Sequence, residues 1–461
     1  MPTFSRRRFL AVSASALVAA GPARGAVSSS GEVDVAIVGA GAAGIAAARR
    51  AAAARQSYAL LEASDRVGGR CITDRSIFGV PFDRGAHWIH MPDLNPVAKL
   101  TARAGFDIYP APPGQKIRIS RRNAREGEME NFLASLLRAS RAIGDAARGG
   151  KADISCAQAL PRDLADWKPA VDFVLGPYGC GKDLAEVSAA DFALSVERDV
   201  DSFCRQGYGA LLAKLADGLM VQLNTPVTQI DAYGRGGAEL ETPRGKIRAK
   251  AVIVTVSTSV LASGRIKFLP EMPKRLLDAV AKLQLGSYDH IALELPGNPL
   301  GLARDDLVFE KSDSARTGAL LANMSSTAIG MVDVGGKFGR ELSAQGEAAM
   351  VDFALGWLVN LFGADVKKAV RRTHATRWNN EPYVLGAFSA ASPGGQPGRK
   401  ILMEPFAGRV WFAGEAVHET LWGTVGGAWE SGERAVDAAL KRGAPSERPA
   451  PRQRKSPKRR S

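Results

Sequence analysis

Cysteine and histidine are scarce in this sequence, which limits the kinds of site that the chain can build. Among 461 residues there are four cysteines and five histidines. The cysteines at positions 71, 156, 180 and 204 form no C-x-x-C pair and no cluster with the spacing of metal ligands. We therefore expect no metal site and free thiols, although a Cys156–Cys180 or a Cys180–Cys204 disulfide stays open.

Long apolar runs are also missing, and the sequence offers no candidate for a transmembrane anchor. The apolar run 11–20 is too short to cross a bilayer. It follows Ser5-Arg-Arg-Arg-Phe-Leu10, the pattern of a twin-arginine export signal. The sequence predicts a signal peptide over residues 1–30, with cleavage near Ala23 or Ala26. We therefore expect a periplasmic or exported protein that meets the twin-arginine translocation machinery.

The excess of positive charge is concentrated at the two ends of the chain. The net charge is +14, of which residues 1–30 carry +4 and residues 442–461 carry +7, so the body carries only +3. A basic face for nucleic acid is therefore not expected. The stretch 442–461 is rich in proline and arginine and predicts a basic, disordered tail.

The first motif is a glycine-rich turn between a predicted strand and a predicted helix. Val33–Val38 is a run of branched apolar residues, typical of a buried parallel strand. In the following Gly-x-Gly-x-x-Gly, Gly39 allows a tight turn, Gly41 lets the backbone approach a pyrophosphate and Gly44 lets the helix pack on the strand. Glu62 lies 18 residues beyond Gly44, near the spacing of an acid that binds a ribose. The segment predicts a dinucleotide-binding turn.

Two further motifs carry a family resemblance. Arg66-Val-Gly-Gly-Arg70 resembles the second signature of the flavin amine oxidase superfamily, in which Arg70 would neutralise the pyrophosphate. Val410-Trp-Phe-Ala-Gly-Glu415 resembles the other half of a flavin site. Most of residues 31–440 resembles the flavin-containing amine oxidases, which include monoamine oxidases, polyamine oxidases and flavin histone demethylases. A site built from both ends of the chain indicates one closed, two-part enzyme.

The resemblance implies an α/β fold with a discontinuous, Rossmann-like FAD-binding domain and an inserted, mixed α+β substrate domain. The expected FAD-binding segments are 31–111, 200–289 and 395–441. The expected substrate-domain segments are 112–199, mainly helical, and 290–394.

The resemblance also implies which residues contact the cofactor. By match to the family motifs, the expected cofactor contacts besides the glycine turn are Glu62, Arg70, Gly85, Val227 through its backbone at the adenine, Trp378 beside the flavin, Glu415, and Thr424 and Val425 near the isoalloxazine ring. Covalent attachment in relatives uses a cysteine close to the C-terminal motif. No cysteine follows Cys204, so we expect noncovalent FAD.

A third element suggests the substrate side of the site. Gly85-Ala-His-Trp88-Ile-His90 resembles a polyamine-oxidase element in which the residue matching His90 contacts the substrate amine. Trp88, Phe388 and Trp422 are candidate walls of the amine pocket. Core packing is the alternative role for each of the three aromatic residues.

One position departs from the family pattern. Many relatives carry a lysine that holds a water near flavin N5, and His290 occupies that position here. A histidine could position a water by hydrogen bonding, and it titrates near neutral pH. We therefore take His290 as a candidate catalytic residue, with a strand histidine without a role as the alternative.

The implied reaction is oxidation of a C–N bond. A hydride would pass from the carbon beside the nitrogen to flavin N5, the imine would hydrolyse to an aldehyde, and oxygen would be reduced to hydrogen peroxide. Because His290 replaces the usual lysine, an electron acceptor other than oxygen stays a possibility. A polyamine is the favoured substrate, an L-amino acid or aromatic amine is the first alternative, and a FAD-binding export or assembly partner with little turnover is the second.

Charged residues in the expected substrate segments leave the choice of amine open. A polyamine site should offer carboxylates, and an amino-acid site should offer an arginine that clamps the carboxylate. The candidate side chains are Asp163, Asp166, Asp172 and Glu186 among the acids, and Arg118, Arg162 and Arg198 among the arginines. The sequence predicts no particular oligomeric state.

Overall fold

The computed structural model describes residues 32–149, 152–195, 200–234 and 236–443. The expected export signal at 1–30 and all but the first two residues of the expected tail at 442–461 lie outside the described residues.

The strands are β1 Glu32–Val38, β2 Tyr58–Leu61, β3 Thr73–Asp74, β4 Phe82–Asp83, β5 Ile89–His90, β6 Ile108–Pro110, β7 Lys116–Ile119, β8 Arg122–Asn123, β9 Asp201–Cys204, β10 Val221–Gln222, β11 Gln229–Asp231, β12 Ala238–Thr242, β13 Gly245–Val254, β14 Lys267–Leu269, β15 Tyr288–Glu294, β16 Asp306–Glu310, β17 Ala319–Ala322, β18 Ile329–Gly335, β19 Thr373–Ala375 and β20 Val410–Phe412.

The α-helices are α1 Ala42–Ala53, α2 Thr101–Ala104, α3 Glu126–Arg148, α4 Cys156–Ala159, α5 Lys168–Phe173, α6 Ala189–Leu194, α7 Tyr208–Leu215, α8 Thr258–Ala262, α9 Lys274–Lys282, α10 Gly336–Gln345, α11 Glu347–Phe362, α12 Asp365–Ala369, α13 Gly398–Met403 and α14 Val425–Gly443. Within the described ranges, none of the helices has the length and apolar character needed to cross a membrane.

Five parallel strands form the centre of the first sheet, in the order β10-β2-β1-β13-β20. Val35 to Val38 of β1 are all buried, because a parallel strand covered on both faces needs apolar side chains on both. Strands β12, β11 and β14 extend the sheet beside the first half of β13. The carboxyl ends of the five parallel strands therefore meet at one edge, where doubly wound folds bind their ligands.

Helices α1 and α14 cover one face of the first sheet. They approach closely because Gly432 of α14 has no side chain; a Cβ there would lie 2.0 Å from the carbonyl oxygen of Ala43 in α1. The alanine-rich sequence of α1 permits the same close approach along its length, and most of its residues are buried. The first and last described segments of the chain thus pack against each other.

The second sheet is mainly antiparallel and has the order β19-β15-β18-β17-β16-β7-β8. Ile291 and Leu293 of β15 pack into a core shared with α10 and α11, so the alternate residues Tyr288 and His290 face the other way. The segment 112–199, expected to be mainly helical, also contributes β7 and β8 to this sheet. The expected α/β fold with a FAD-type domain and a mixed substrate domain is confirmed.

A small three-stranded sheet, β5-β9-β6, joins distant parts of the chain. His90 of β5 lies opposite Asp201 of β9 in the antiparallel register. The cysteines are buried, and Cys71, Cys156 and Cys204 are free thiols, so neither of the two disulfides left open by the sequence is formed.

Candidate active site

One elongated cavity of about 1270 Å³ lies between the carboxyl edge of the first sheet and the second sheet. Sites for a single small ligand usually have volumes of about 300–1,000 Å³. The larger volume here suits a dinucleotide together with a small substrate. Of the sequence-predicted site residues, the structure brings all but Gly44 to the wall of this cavity; they are Gly39, Gly41, Glu62, Arg70, Gly85, Trp88, His90, Val227, His290, Trp378, Phe388, Trp422, Glu415, Thr424 and Val425.

The glycine turn shapes the cavity at the start of α1. Gly39 has a positive φ of 103°, which an L side chain rarely adopts. A Cβ on Gly44 would lie 1.8 Å from the carbonyl oxygen of Gly39, so Gly44 lies behind the turn and allows the helix to start there. Gly41 is the N-cap and offers no side-chain cap. The first N–H groups of α1 are therefore available to a phosphate.

Glu62 follows directly after β2 and is buried beside the glycine turn. Its carboxylate accepts hydrogen bonds from the N–H groups of Ala40, at 2.6 Å, and Ser64, at 2.9 Å. The N–H of Thr225 donates to the carbonyl of Glu62, which holds the loop that carries Val227 beside it. The expected ribose-binding acid and the expected adenine contact thus lie together at one end of the cavity.

Arg70 and Glu415 join the two ends of the chain. One guanidinium nitrogen of Arg70 lies 2.8 Å from the Glu415 carboxylate and 2.6 Å from the carbonyl oxygen of Ala387. The Glu415 carboxylate also accepts from the Ser389 hydroxyl and from the N–H of Gly423. Burial by itself would raise the pKa of Glu415, but the Arg70 charge and these donors outweigh it and lower the pKa. Glu415 is therefore held as an anion that fixes both Arg70 and the Gly423 loop.

Two rings hold consecutive carbonyls on the segment between β4 and β5. Trp378 Nε1 donates to the carbonyl of Arg84 at 2.9 Å, and His290 Nε2 lies 3.0 Å from the carbonyl oxygen of Gly85. A Cβ on Gly85 would lie 2.0 Å from the carbonyl oxygen of Arg70, so a side chain there would push the wall apart. This segment forms the wall between the expected phosphate region and the expected substrate region.

Both ring nitrogens of His290 are engaged. Nδ1 lies 2.6 Å from a carboxylate oxygen of Asp333 on β18, while Nε2 faces the Gly85 carbonyl. The other oxygen of Asp333 accepts from the Tyr288 hydroxyl. Burial lowers the pKa of the imidazole, but the charge of Asp333 and the hydrogen bonds to Asp333 and Gly85 together outweigh burial, and the pKa of His290 is raised overall. Neither nitrogen has a lone pair directed into the cavity.

His90 has a different environment. Its Nδ1 lies 2.7 Å from a carboxylate oxygen of Asp201, and Nε2 has no hydrogen-bond partner among the described residues. Because a carboxylate only accepts, Nδ1 carries the proton, and Nε2 offers a lone pair. The side chain is 24% exposed at the cavity wall, which leaves room for a ligand to reach it.

Aromatic and apolar side chains line the cavity around His90 and His290. Trp88 packs on Phe203, and Phe388 lies beside Tyr288. Trp422 is 1% exposed and donates from its indole N–H to the carbonyl of Asp191, so it serves both the wall and the core. The expected pocket aromatics are therefore in place, together with Tyr178 and Tyr288, which sequence reasoning missed.

The charged residues proposed from sequence as substrate contacts lie away from the cavity wall. None of Asp163, Asp166, Asp172, Glu186, Arg118 and Arg162 is among its lining residues, and Arg198 lies outside the described residues. Four described acids line the cavity: Glu62 and Glu415 belong to its expected cofactor side, Glu381 lies near Arg66, and Asp201 lies beside His90 in the expected substrate half. Arg141 and Arg148 of α3 line its outer part and are exposed.

Sequence reasoning missed the acids that orient the two histidines. Asp201 is 111 residues from His90, and Asp333 is 43 residues from His290. No motif links either pair. Tyr288 could have been found, because it precedes His290 by two residues on a strand and so shares its face. Among the described residues there is no cluster of histidine, cysteine and acidic side chains arranged to hold a metal.

An elongated cavity at the carboxyl edge of a parallel sheet, lined by a glycine turn and the uncapped start of α1, is the arrangement of a dinucleotide-binding protein. Residues 42–440 match the model of the flavin containing amine oxidoreductases, and the chain belongs to that family.

Curated relatives include two kinds of protein. Lysine-specific histone demethylase 2 from Homo sapiens is 27% identical, over 87% of this chain and 52% of that protein. The chain thus spans about half the length of that relative. Polyamine oxidase 4 from Oryza sativa subsp. japonica is 26% identical over 88% of each protein.

Solved structures share the fold. A wild-type putrescine oxidase bound to putrescine is 21% identical, with a TM-score of 0.75 over 89% of this chain and 99% of that one. Cyclohexylamine oxidase from Brevibacterium oxydans is 20% identical, with a TM-score of 0.74 over the same shares. At these identities the similarity concerns the fold alone.

Proposed function

We propose that this chain binds FAD noncovalently and oxidises an amine at the carbon next to the nitrogen. The observation that carries the proposal is a single cavity in which the glycine turn, Glu62 and Arg70 meet a histidine, His90, that has a free lone pair. The first three suit a dinucleotide, and the last suits an ammonium group that must lose a proton.

The residues present fit the cofactor. The open start of α1 and Arg70 would hold the pyrophosphate, Glu62 the ribose, and the backbone near Val227 the adenine. Thr424 and Val425 would lie at the ring system, with Trp378 beside it. The thiol of Cys71, which lines the cavity, has a pKa raised by burial and is not poised to react. Release of all flavin on denaturation would support noncovalent binding, whereas flavin retained on the unfolded chain would overturn it.

His90 would remove the proton from the substrate ammonium. When bound, FAD supplies the acceptor for the hydride of the adjacent carbon. Asp201 fixes the tautomer of His90 so that Nε2 can accept the proton, and a positioned general base of this kind contributes about 10²–10⁴-fold in rate. The aromatic walls exclude water and orient the carbon. The imine product would then hydrolyse to an aldehyde, or to a 2-oxo acid where the substrate is an L-amino acid.

Three substrate classes follow from different observations. The family motifs favour a polyamine. The cavity favours an aromatic monoamine, because its described substrate half has aromatic walls and one carboxylate, Asp201, whereas a polyamine carries several ammonium groups. Arg141 and Arg148 are exposed at the outer part of the wall, and Arg148 is paired with Asp145, so Arg141 is the candidate to meet a carboxylate there and an aromatic L-amino acid is the third class to test.

The electron acceptor and the location are further parts of the proposal. We propose that oxygen is the electron acceptor and is reduced to hydrogen peroxide. We also propose that the protein is exported through the twin-arginine route, as residues 5–20 imply. Admission of air to the reduced protein would test the first, because slow return of the oxidised spectrum would indicate another acceptor. Fractionation of cells that express the full chain would test the second.

A matched panel of amines tests the function. Anaerobic addition of spermidine, putrescine, tyramine and L-tyrosine to the FAD-loaded protein is expected to bleach its visible absorbance with at least one amine. Tyramine and L-tyrosine differ only by a carboxylate, so Arg141→Met should slow L-tyrosine alone if Arg141 binds that group. If no amine bleaches the loaded protein, the enzyme proposal fails and a FAD-binding partner with little turnover takes its place.

A further inference from the structure

His290 is the histidine whose two ring nitrogens both face groups that can only accept hydrogen bonds. Nδ1 lies 2.6 Å from Asp333, and Nε2 lies 3.0 Å from the Gly85 carbonyl oxygen. A neutral imidazole has one N–H and one lone pair, so either tautomer would set a lone pair against an acceptor. Only the imidazolium satisfies both contacts, and the residue is 5% exposed.

The other four histidines each have at most one such contact. His87 and His90 reach a carboxylate through Nδ1 alone. His374 also lies beside a carboxylate through Nδ1, at 3.3 Å from Glu347. His418 reaches Glu430 through Nε2, while its Nδ1 accepts from two backbone N–H groups. A permanent imidazolium is therefore a property of one position in this chain.

The groups packed around the His290 ring favour its positive charge. Asp333 faces it from β18, and Asp289 is its neighbour on β15. Tyr288 bonds the far oxygen of Asp333 and leaves the near oxygen to the ring. The N–H of His290 donates to Thr376, whose hydroxyl in turn donates to Asp289. This network holds the ring in one orientation on the cavity wall.

We propose that Asp333 is a positioning residue that keeps His290 permanently protonated, and that the resulting fixed cation stabilises negative charge on the reduced cofactor. The contact of His290 Nε2 with the Gly85 carbonyl also fixes the wall segment that carries Trp88 and His90. His290 accordingly acts neither as the base for the substrate nor as the holder of a water. The part that concerns the cofactor rests on the proposed function, whereas the protonation state does not.

The protonation state can be read directly by NMR of the whole protein labelled with ¹⁵N-histidine. We expect one histidine to show two bonded N–H protons and imidazolium nitrogen shifts at about pH 8, where an ordinary histidine is neutral. The signal should vanish in His290→Asn. It should become that of a neutral ring in Asp333→Asn. His374→Asn is the matched control and should leave the signal in place.

The effect of the charge is read from the midpoint potential of bound FAD. His290→Asn and Asp333→Asn should lower the potential, and His290→Lys should preserve it, because lysine restores the charge without the ring. The NMR spectrum of the wild-type protein tests the protonation state even if a variant fails to fold. Wild-type spectra in which all five histidines are neutral at about pH 8 would overturn the protonated state. An unchanged potential in His290→Asn would overturn the role of the cation.

The two proposals fail separately. If no amine bleaches the flavin but the doubly bonded histidine and the shift in potential are present, the proposed amine oxidation fails and the fixed cation stands. If amines bleach the flavin and His290 is neutral, the proposed amine oxidation stands and the fixed cation fails.

Discussion

His90 and His290 line the same cavity, yet the partners of their ring nitrogens give them different chemistry. One ring nitrogen of His90 bonds the Asp201 carboxylate, and the other has no hydrogen-bond partner among the described residues. His290 has a carboxylate and a carbonyl. The first arrangement can accept a proton, and the second already holds two. Residue type alone could not separate these roles, because the difference comes from Asp201 and Asp333, which come from other strands.

Replacement of His90 tests the base. His90→Gln should lower the rate constant for anaerobic reduction by amine about 10²–10⁴-fold near neutral pH. At high pH the rate should recover, because the free amine needs no base. Stopped-flow absorbance across a pH series measures both effects, and His374→Asn should behave like wild type. A rate that is unaffected, or that stays low at high pH, would argue against this role.

Glu415 makes the stability of the protein depend on acidity. Its folded pKa lies below the ordinary value of 4.5. Its stabilisation is therefore complete above about pH 4.5 and is lost as pH falls through the lower folded pKa. Glu415→Gln should lower the unfolding free energy at neutral pH by about 1–3 kcal/mol and make its decline in acid less steep.

Urea unfolding of the apoprotein at several pH values measures this dependence. Glu404→Gln is the control, since Glu404 pairs with Arg275 at the surface and should change stability by no more than about 1 kcal/mol. An equally steep acid decline in Glu415→Gln would show that other carboxylates carry the effect.

At the scale of elements, the junction of β1 and α1 determines whether the cofactor end of the cavity can form. Gly44→Ala would put a Cβ 1.8 Å from the Gly39 carbonyl oxygen, so the helix must shift away from the turn. We expect a loss of about 1–3 kcal/mol in stability and weaker FAD retention.

Gly356→Ala in α11 is the matched control for this substitution. A Cβ at position 356 meets nothing within 4 Å, so we expect unchanged FAD binding and a gain of roughly 0.5–1 kcal/mol. Thermal unfolding and FAD titration measure both variants. Tight FAD binding by Gly44→Ala would contradict the packing argument.

A buried ion pair joins α13 to α6. Arg399 and Asp191 are both fully buried and meet through two hydrogen bonds, at 2.6 and 2.7 Å. Arg399→Leu would leave the carboxylate unpaired and should cost about 3–5 kcal/mol of stability. Arg50→Leu, which breaks the exposed pair with Asp437, should cost no more than about 1 kcal/mol. Similar losses in the two variants, measured by urea unfolding, would contradict this difference.

Helices and strands that are marked by motifs in adjacent residues could be predicted from the sequence. The pairing of strands and side chains from distant segments could not. The β1 strand, the Gly39 turn and α1 follow from adjacent residues, because Gly39 adopts a positive φ in the turn and Gly44 lies against the Gly39 carbonyl. The pairing of β5 with β9 brings Asp201 to His90 across more than a hundred residues. Nothing in either strand specifies the other, since β5 has two residues and β9 has four, which is too short for a periodic pattern that would identify the partner. The same holds for Arg399 and Asp191.

At the scale of the whole molecule, the site exists because the two ends of the chain meet. Arg70 lies in one of the first motifs and Glu415 in the last, and their ion pair lies at the wall of the cavity between the two sheets. The motifs at both ends identified the cofactor side from sequence, because their spacing reflects contacts with a ligand. The charges that meet the substrate depend on tertiary packing, and the described acids and arginines singled out in the segment 112–199 are not among the residues that line the cavity.

The measurement that most directly tests amine oxidation is a single turnover under argon, in which the FAD-loaded protein is mixed with excess tyramine or spermidine. The amount of bleached flavin and the amount of aldehyde are then determined in the same sample. The proposed function predicts one aldehyde for each flavin reduced, with ammonia or the shortened amine as the second product. A fully loaded protein that keeps its oxidised spectrum with every class of amine, or that bleaches without forming aldehyde, would contradict it.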